Sequence, residues 1–213
     1  MNHQRHTRIA AASGAVSALV LFVANGQGGD LPPWRDVAAA GALTLLVVFA
    51  AYLAVLLRRR SDDVIGSWLA LAVIAGATAG STLKLVSGVP GQALDAAGTP
   101  PGSAMTHAFD ALGTALTTTA LVPLAMFCLA AGSGALRTRI LPRWLGLGGL
   151  VTGAALAVNA CFTTSESVPA LLLLALWCIA ASVHLVRVDA SYDGGSSTAD
   201  PAVGDRRLAH EDR

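Results

Sequence analysis

Polar and apolar positions along this chain fall into long blocks rather than a short alternating period. Six apolar stretches, near residues 9–26, 37–57, 64–87, 105–131, 143–164 and 168–187, are separated by brief polar connections. Each is close to the ~20 residues that, at about 1.5 Å of rise apiece, cover roughly 30 Å of hydrocarbon. The stretches are built from Ala, Leu, Val and Gly and lack the period-two alternation of a lipid-facing barrel strand. Helices are the other way to satisfy every backbone group inside a bilayer. The predicted fold class is therefore all-α, a polytopic bundle of six transmembrane helices.

Composition supports the same class. Of 213 residues, 54% are hydrophobic and 13% charged, and the mean hydropathy is +0.61. A soluble domain of this length could not keep such a surface wet, so the excess faces lipid. Arginine placement then orients the bundle, because short loops rich in Lys and Arg stay cytoplasmic. Arg5, Arg8, Arg58, Arg59, Arg60, Arg137, Arg139, Arg143 and Arg187 all fall on one side of the six-span layout, which puts both termini in the cytoplasm. Arg35 stands alone on the other side, with Lys84 just inside the end of the third span. Basic residues that hold helix ends at headgroup level explain this charge, and nucleic acid is not expected as a partner. The segment from Met1 to Arg8 ahead of an apolar stretch also has the layout of a signal peptide. No convincing small-x-small cleavage site follows Phe22, and the stretch reads as a retained first span.

Residues 1–187 thus form one membrane domain in the plasma membrane, and 188–213 a polar tail expected to be disordered. Between Ser87 and Ala104 the chain carries Gly88, Pro90, Gly91, Gly98, Pro100, Pro101 and Gly102, which reads as loop rather than helix. The short connection at Gly26 to Pro33 reads as an external loop, as do Thr163, Thr164 and Glu166. No internal repeat points to duplicated transporter halves. Gly76 and Gly80, and Gly149 and Gly153, stand at small-xxx-small spacing, where helix backbones pack closely. Pro123 leaves the carbonyl of Thr119 without its helical amide, so a kink or a freed acceptor is expected beside Thr117 to Thr119.

Polar residues inside the spans carry the functional clue, since ionisable groups at membrane depth are costly and turn toward a cavity or a partner. Counting helical rise from the cytoplasmic end places Lys84 about 30 Å up, Asp110 about 31 Å and Asn159 about 24 Å, all in the external third. His107, Asp110, Thr114 and Thr117 form one stripe on the fourth span. Lys84, His107, Asp110, Thr114 and Asn159 are the candidate lining of an outward-facing pocket between the third, fourth and fifth spans, with Lys84 paired to Asp110. A solvated interfacial ion pair with no ligand accounts for the same residues. The function these features suggest is a non-enzymatic binding or accessory module for a small ligand, lipid or partner membrane protein. A small-molecule or ion transporter is the alternative, and an intramembrane enzyme the third.

No complete catalytic motif is present: the chain has no H-E-x-x-H, G-x-S-x-G or Walker sequence. His107 and His184 sit at opposite depths and cannot share a haem iron. Cys128, Cys161 and Cys178 are single residues on three spans, with no C-x-x-C and no two at clearly one depth, so packing is their expected role. No catalytic residue, cofactor or metal site is expected.

One short run is distinctive. In Leu141, Pro142, Arg143, Trp144, Leu145 and Gly146, Pro142 starts a helix where no amide partner is needed, Arg143 stays at the headgroups, and Trp144 joins the aromatic belt. With Ala135, Leu136 and Arg137 before it, the six-span layout and Trp177 in the last span, the chain resembles a family of uncharacterised six-helix bacterial integral membrane proteins. That family is classed as a domain of unknown function and is common in actinobacteria. The resemblance implies a compact plasma-membrane bundle and brings no substrate, cofactor or catalytic residue.

Overall fold

The computed structural model describes residues 2–25, 34–61, 63–100, 102–162 and 168–194. Among these the structure is helical and contains no strand. The helices are α1 (Asn2–Asn25), α2 (Trp34–Arg60), α3 (Val64–Ser87), α4 (Val89–Ala96), α5 (Ala104–Thr138), α6 (Arg143–Phe162) and α7 (Val168–Gly194). Five of them, α2, α3, α5, α6 and α7, are long and apolar enough to cross a membrane, whereas the described apolar part of α1 is the shorter Arg8–Leu21. The connection 26–33, the residues Thr163, Thr164 and Glu166, and the tail beyond 194 lie outside the described residues.

The long helices close into a ring. α1 packs on α2, α2 on α3, α3 on α5, α5 on α6, α6 on α7, and α7 returns to α1, while α2 also touches α5 across the centre. Each neighbour in the ring follows its predecessor along the chain, so short connections suffice. The interior is apolar: Phe49, Leu53, Val73, Leu121, Phe127, Leu145 and Leu156 are buried. The outward faces are apolar as well. Trp68, Val122, Val151 and Leu176 are each more than half exposed, and their placement on different helices gives the broad non-polar belt of a protein whose solvent there is lipid.

Missing side chains set the closest helix contacts. A β-carbon added at Gly76 would stand 2.6 Å from the Pro123 carbonyl oxygen and 2.7 Å from the Phe127 amide nitrogen, so α3 rests directly on the backbone of α5. Gly80 meets the side chain of Leu124 one turn further along. On the opposite side of α5, Gly132 faces the Gly146 carbonyl and the Leu150 amide, with Gly149 against Gly132 and Gly153 against Leu129. Gly149 also leaves room for the indole of Trp177, whose Nε1 donates to the Leu145 carbonyl oxygen at 2.9 Å. The ring of Trp177 meets Phe127 edge to face, with centroids 5.8 Å apart.

Three expectations are corrected. The segment after Ser87 is not loop throughout, because Val89–Ala96 forms α4. Pro90 falls in the first turn of that helix, where a proline without an amide is tolerated, and Leu94 is buried beneath it. The fourth span runs on past residue 131 to Thr138, since Gly132 and Gly134 are pressed against α6 and Leu57 rather than ending the helix. α7 continues through residues 188–194 into what polarity suggested was disordered tail; extending an existing helix costs far less than nucleating one. Pro123 lies inside one continuous helix. The nearby hydroxyls of Thr118 and Thr119 donate to the carbonyls of Thr114 and Ala115 one turn back, not to that of Thr119.

Replacing Gly76 by Ala should lower the thermal midpoint in detergent, at about 1–3 kcal/mol for overpacking against rigid backbone. Gly41, whose added β-carbon meets nothing within 4 Å, should instead gain about 0.5–1 kcal/mol as Ala. Equal effects of the two changes would show that the α3–α5 approach is not limiting.

Candidate functional site

At one end of the ring, α4 folds over the gap between α3 and α5 and closes the side of a groove of about 510 Å³. α3 contributes Lys84 and Ser87, α4 and its lead-in Gly88, Pro90 and Gly91, and α5 Phe109, Asp110, Gly113, Thr114 and Thr117. The α5 residues recur every three or four positions, so a single helical face supplies them. Gly113 lets this face approach the end of α3, because a β-carbon there would stand 3.2 Å from the Ser87 carbonyl oxygen. The Ser87 hydroxyl donates to the Lys84 carbonyl at 2.7 Å and helps finish α3.

The start of α5 is locally tied. Ser103 caps it, accepting from the Thr106 amide at 3.1 Å, and the Thr106 hydroxyl reaches back to the Pro100 carbonyl at 3.1 Å. Gly98 and Gly102 take positive φ, the conformation that glycine adopts without a β-carbon penalty. These turns bring the chain from α4 back into α5 and leave Asp110 two turns inside the helix.

The structure brings Lys84, Asp110 and Thr114 to one groove, and adds Thr117, Ser87 and the α4 backbone. His107 is exposed on the first turn of α5 and is not part of the lining, and Asn159 is buried on α6 away from it. The groove therefore lies between the third and fourth expected spans and α4, not against the fifth span. The sequence pattern hides α4 because Pro90 and Gly91 are turn-forming residues; the readable signal is Pro90 followed by the apolar pair Ala93 and Leu94.

Beneath Thr117 the bundle is packed with Val73, Ala77, Leu121, Leu124 and Phe127, all buried. The buried polar side chains among the described residues are Ser13, Ser17, Ser81, Thr152, Asn159 and Ser182, none of them ionisable. Among the described residues no three His, Cys, Asp or Glu side chains converge on a point that could hold a metal ion. Cys128 and Cys178 are both free and buried. Each follows a member of the Phe127–Trp177 ring pair, so they share one level in the interior, which depth counted along the sequence did not reveal.

At the opposite end, a contact that the sequence did not single out ties two helix ends. The Asp63 carboxylate caps α3 by accepting from the Gly66 amide at 2.8 Å, and its other oxygen meets Arg137 of α5 at 2.9 Å. The Ser61 hydroxyl, the Gly66 amide and the Arg137 charge together hold the carboxyl below its ordinary range. The readable sign was an Asp just before an apolar run, a usual N-cap; its partner 74 positions away was not readable.

Comparison of this chain with protein families, with curated proteins and with solved structures gave no match.

Because the Asp63 carboxyl is held low when folded, its contacts add stability above about pH 4 and lose it as pH falls through the depressed value. Wild-type protein should therefore lose more thermal midpoint than Asp63→Asn between about pH 7 and about pH 2. The difference should be small, since both side chains are about half exposed. Parallel pH curves would show that the capping network contributes nothing.

Proposed function

We propose that the protein is a six-span plasma-membrane protein with both termini in the cytoplasm, acting as a non-enzymatic binding or accessory module at its external groove. The sixth span is α1. Its place between α2 and α7 in the closed ring supports this. The one-sided arginines supply the orientation, and the bacterial six-helix resemblance accords with the same placement.

The observation that carries the binding reading is the contrast between the two halves of the α3–α5 contact. Near one end a cation, an anion and hydroxyls line an open groove; one helical turn below Thr117, the same two helices are sealed by Leu121 and Leu124 against α3. A transporter needs polar positions through its full depth. The packed interior favours a module that recognises a small polar ligand, a lipid headgroup or a partner loop from outside without passing it through. Enzymatic chemistry would require a nucleophile, base or cofactor constellation in the groove, and Lys84, Asp110 and the threonines form none.

Thermal unfolding in detergent against a panel of lipids, ions and small metabolites tests the site directly. A ligand of the groove should raise the midpoint of the wild type and fail to raise that of Asp110→Asn. Identical shifts in both proteins would move the site elsewhere, and uptake of the same ligand into proteoliposomes would replace binding with transport.

A reporter fused after Thr99 tests the orientation. It should be active there as a periplasmic or external enzyme, and cytoplasmic activity would invert the bundle.

A further inference from the structure

The end of the bundle opposite the groove holds a second cavity, which the external site does not explain. It lies where α5 turns into α6, has a volume of about 240 Å³, and is lined by Arg139, Arg143 and His184 together with Leu136, Ile140 and Leu141. No carboxylate is among its described lining residues, so its charge is of one sign. Like charges collected on one concavity repel one another unless an anion joins them.

Local backbone geometry gathers these side chains. Arg139 ends α5 at φ 55° and ψ 28°, and among the described residues it is the one non-glycine with positive φ. Glycine commonly takes this position because it alone avoids the β-carbon penalty. Here the place is held by an arginine, whose amide donates to the Ala135 carbonyl at 2.9 Å. The reversal carries the chain to Pro142, whose carbonyl accepts from the Leu145 and Gly146 amides and opens α6 at the cavity rim. The positive end of the α6 dipole therefore adds to the two guanidinium groups. His184 comes from α7, two turns beyond Trp177, on the face that the Trp177 bond to Leu145 draws against the start of α6.

We infer that this cavity binds a phosphate group at the membrane surface. Guanidinium forks match phosphate oxygens in a bidentate way that a single ammonium cannot. The volume is below the roughly 300–1,000 Å³ that encloses a whole drug-sized ligand, so the cavity suits a phosphate and the few carbons esterified to it. Its wall is partly apolar, with Leu136, Ile140 and Leu141, and the first turns of α6 beside it expose Trp144 and Leu147, residues suited to the level where lipid headgroups meet acyl chains. An anionic lipid is the source this wall favours; a soluble phosphate ester has the same recognising chemistry.

The test uses the full chain in neutral detergent, with thermal unfolding and native mass spectrometry as readouts. The probes are a short-chain phosphatidic acid, the diacylglycerol with the same chains, and inorganic phosphate. Phosphatidic acid should raise the wild-type midpoint and appear as a bound molecule, and diacylglycerol should do neither. Arg139→Gly keeps the left-handed turn without strain, so it should fold at least as stably as wild type while binding phosphatidic acid about tenfold more weakly. Arg143→Gln should weaken binding similarly. If inorganic phosphate alone reproduces the wild-type shift, the site takes a soluble phosphate; if phosphatidic acid alone does, it takes a lipid. Failure of all three probes to shift the wild type, an equal effect of diacylglycerol, or undiminished binding by both arginine variants would overturn the inference.

Discussion

Close backbone approach of α5 to its two neighbours is the constraint on which the rest of the molecule depends. In hydrocarbon, burying an apolar side chain against another helix gains little over leaving it in lipid, so dispersion contacts must hold helices together. Those contacts reach farthest when no side chain intervenes. Gly76 lets α3 lie on the backbone at Pro123 and Phe127, and Gly132 does the same for α6 at Gly146 and Leu150. With α5 clasped on two sides, α2, α1 and α7 complete the ring. Trp177 then joins α7 to α6 through the Leu145 carbonyl and to α5 through Phe127.

The same clasp separates the two ends of the bundle. Because α3 and α5 are pressed together along their middle, charged side chains among the described residues line concavities toward the two ends. The upper concavity is roofed by α4 and carries Lys84, Asp110 and the threonines. At the other end the turn between α5 and α6 carries Arg139 and Arg143, with His184 from α7. Burying a charge in the sealed middle would cost several kcal/mol, which accounts for an interior whose described polar residues are serines, a threonine and an asparagine. Two polar concavities are thus separated by an apolar core.

Charge is used in two ways at the end opposite the groove. Asp63 and Arg137 satisfy each other and a helix end, a structural pair at the margin. Arg139 and Arg143 instead share a cavity whose described lining holds no acid. All of these arginines would satisfy a rule of positive charge on one side of the membrane, and only their surroundings distinguish an anchor, an ion-pair partner and a ligand-binding group. Arg139 stands apart further, since its backbone conformation is one that glycine would adopt at lower cost.

Length and polarity of the apolar blocks determined the helical class and the positions of the five long apolar helices, because these follow from hydrocarbon thickness and from backbone hydrogen bonding, both local properties. The small-residue spacing at Gly76, Gly80, Gly149 and Gly153 and the polar stripe from Asp110 to Thr117 were equally legible, since helical periodicity alone brings such residues to one face. The tertiary structure decided which faces meet. Helical rise assigns depth but not azimuth, so it could not tell that Asn159 and His107 stand outside the groove that holds Lys84 and Asp110. That Cys128 and Cys178 share a level follows from α5 running on to Thr138, while azimuth decided that Arg137 reaches Asp63 and that His184 joins Arg139 and Arg143. α4 escaped because a proline ends one helix and begins another, and only packing over the α3–α5 gap tells which.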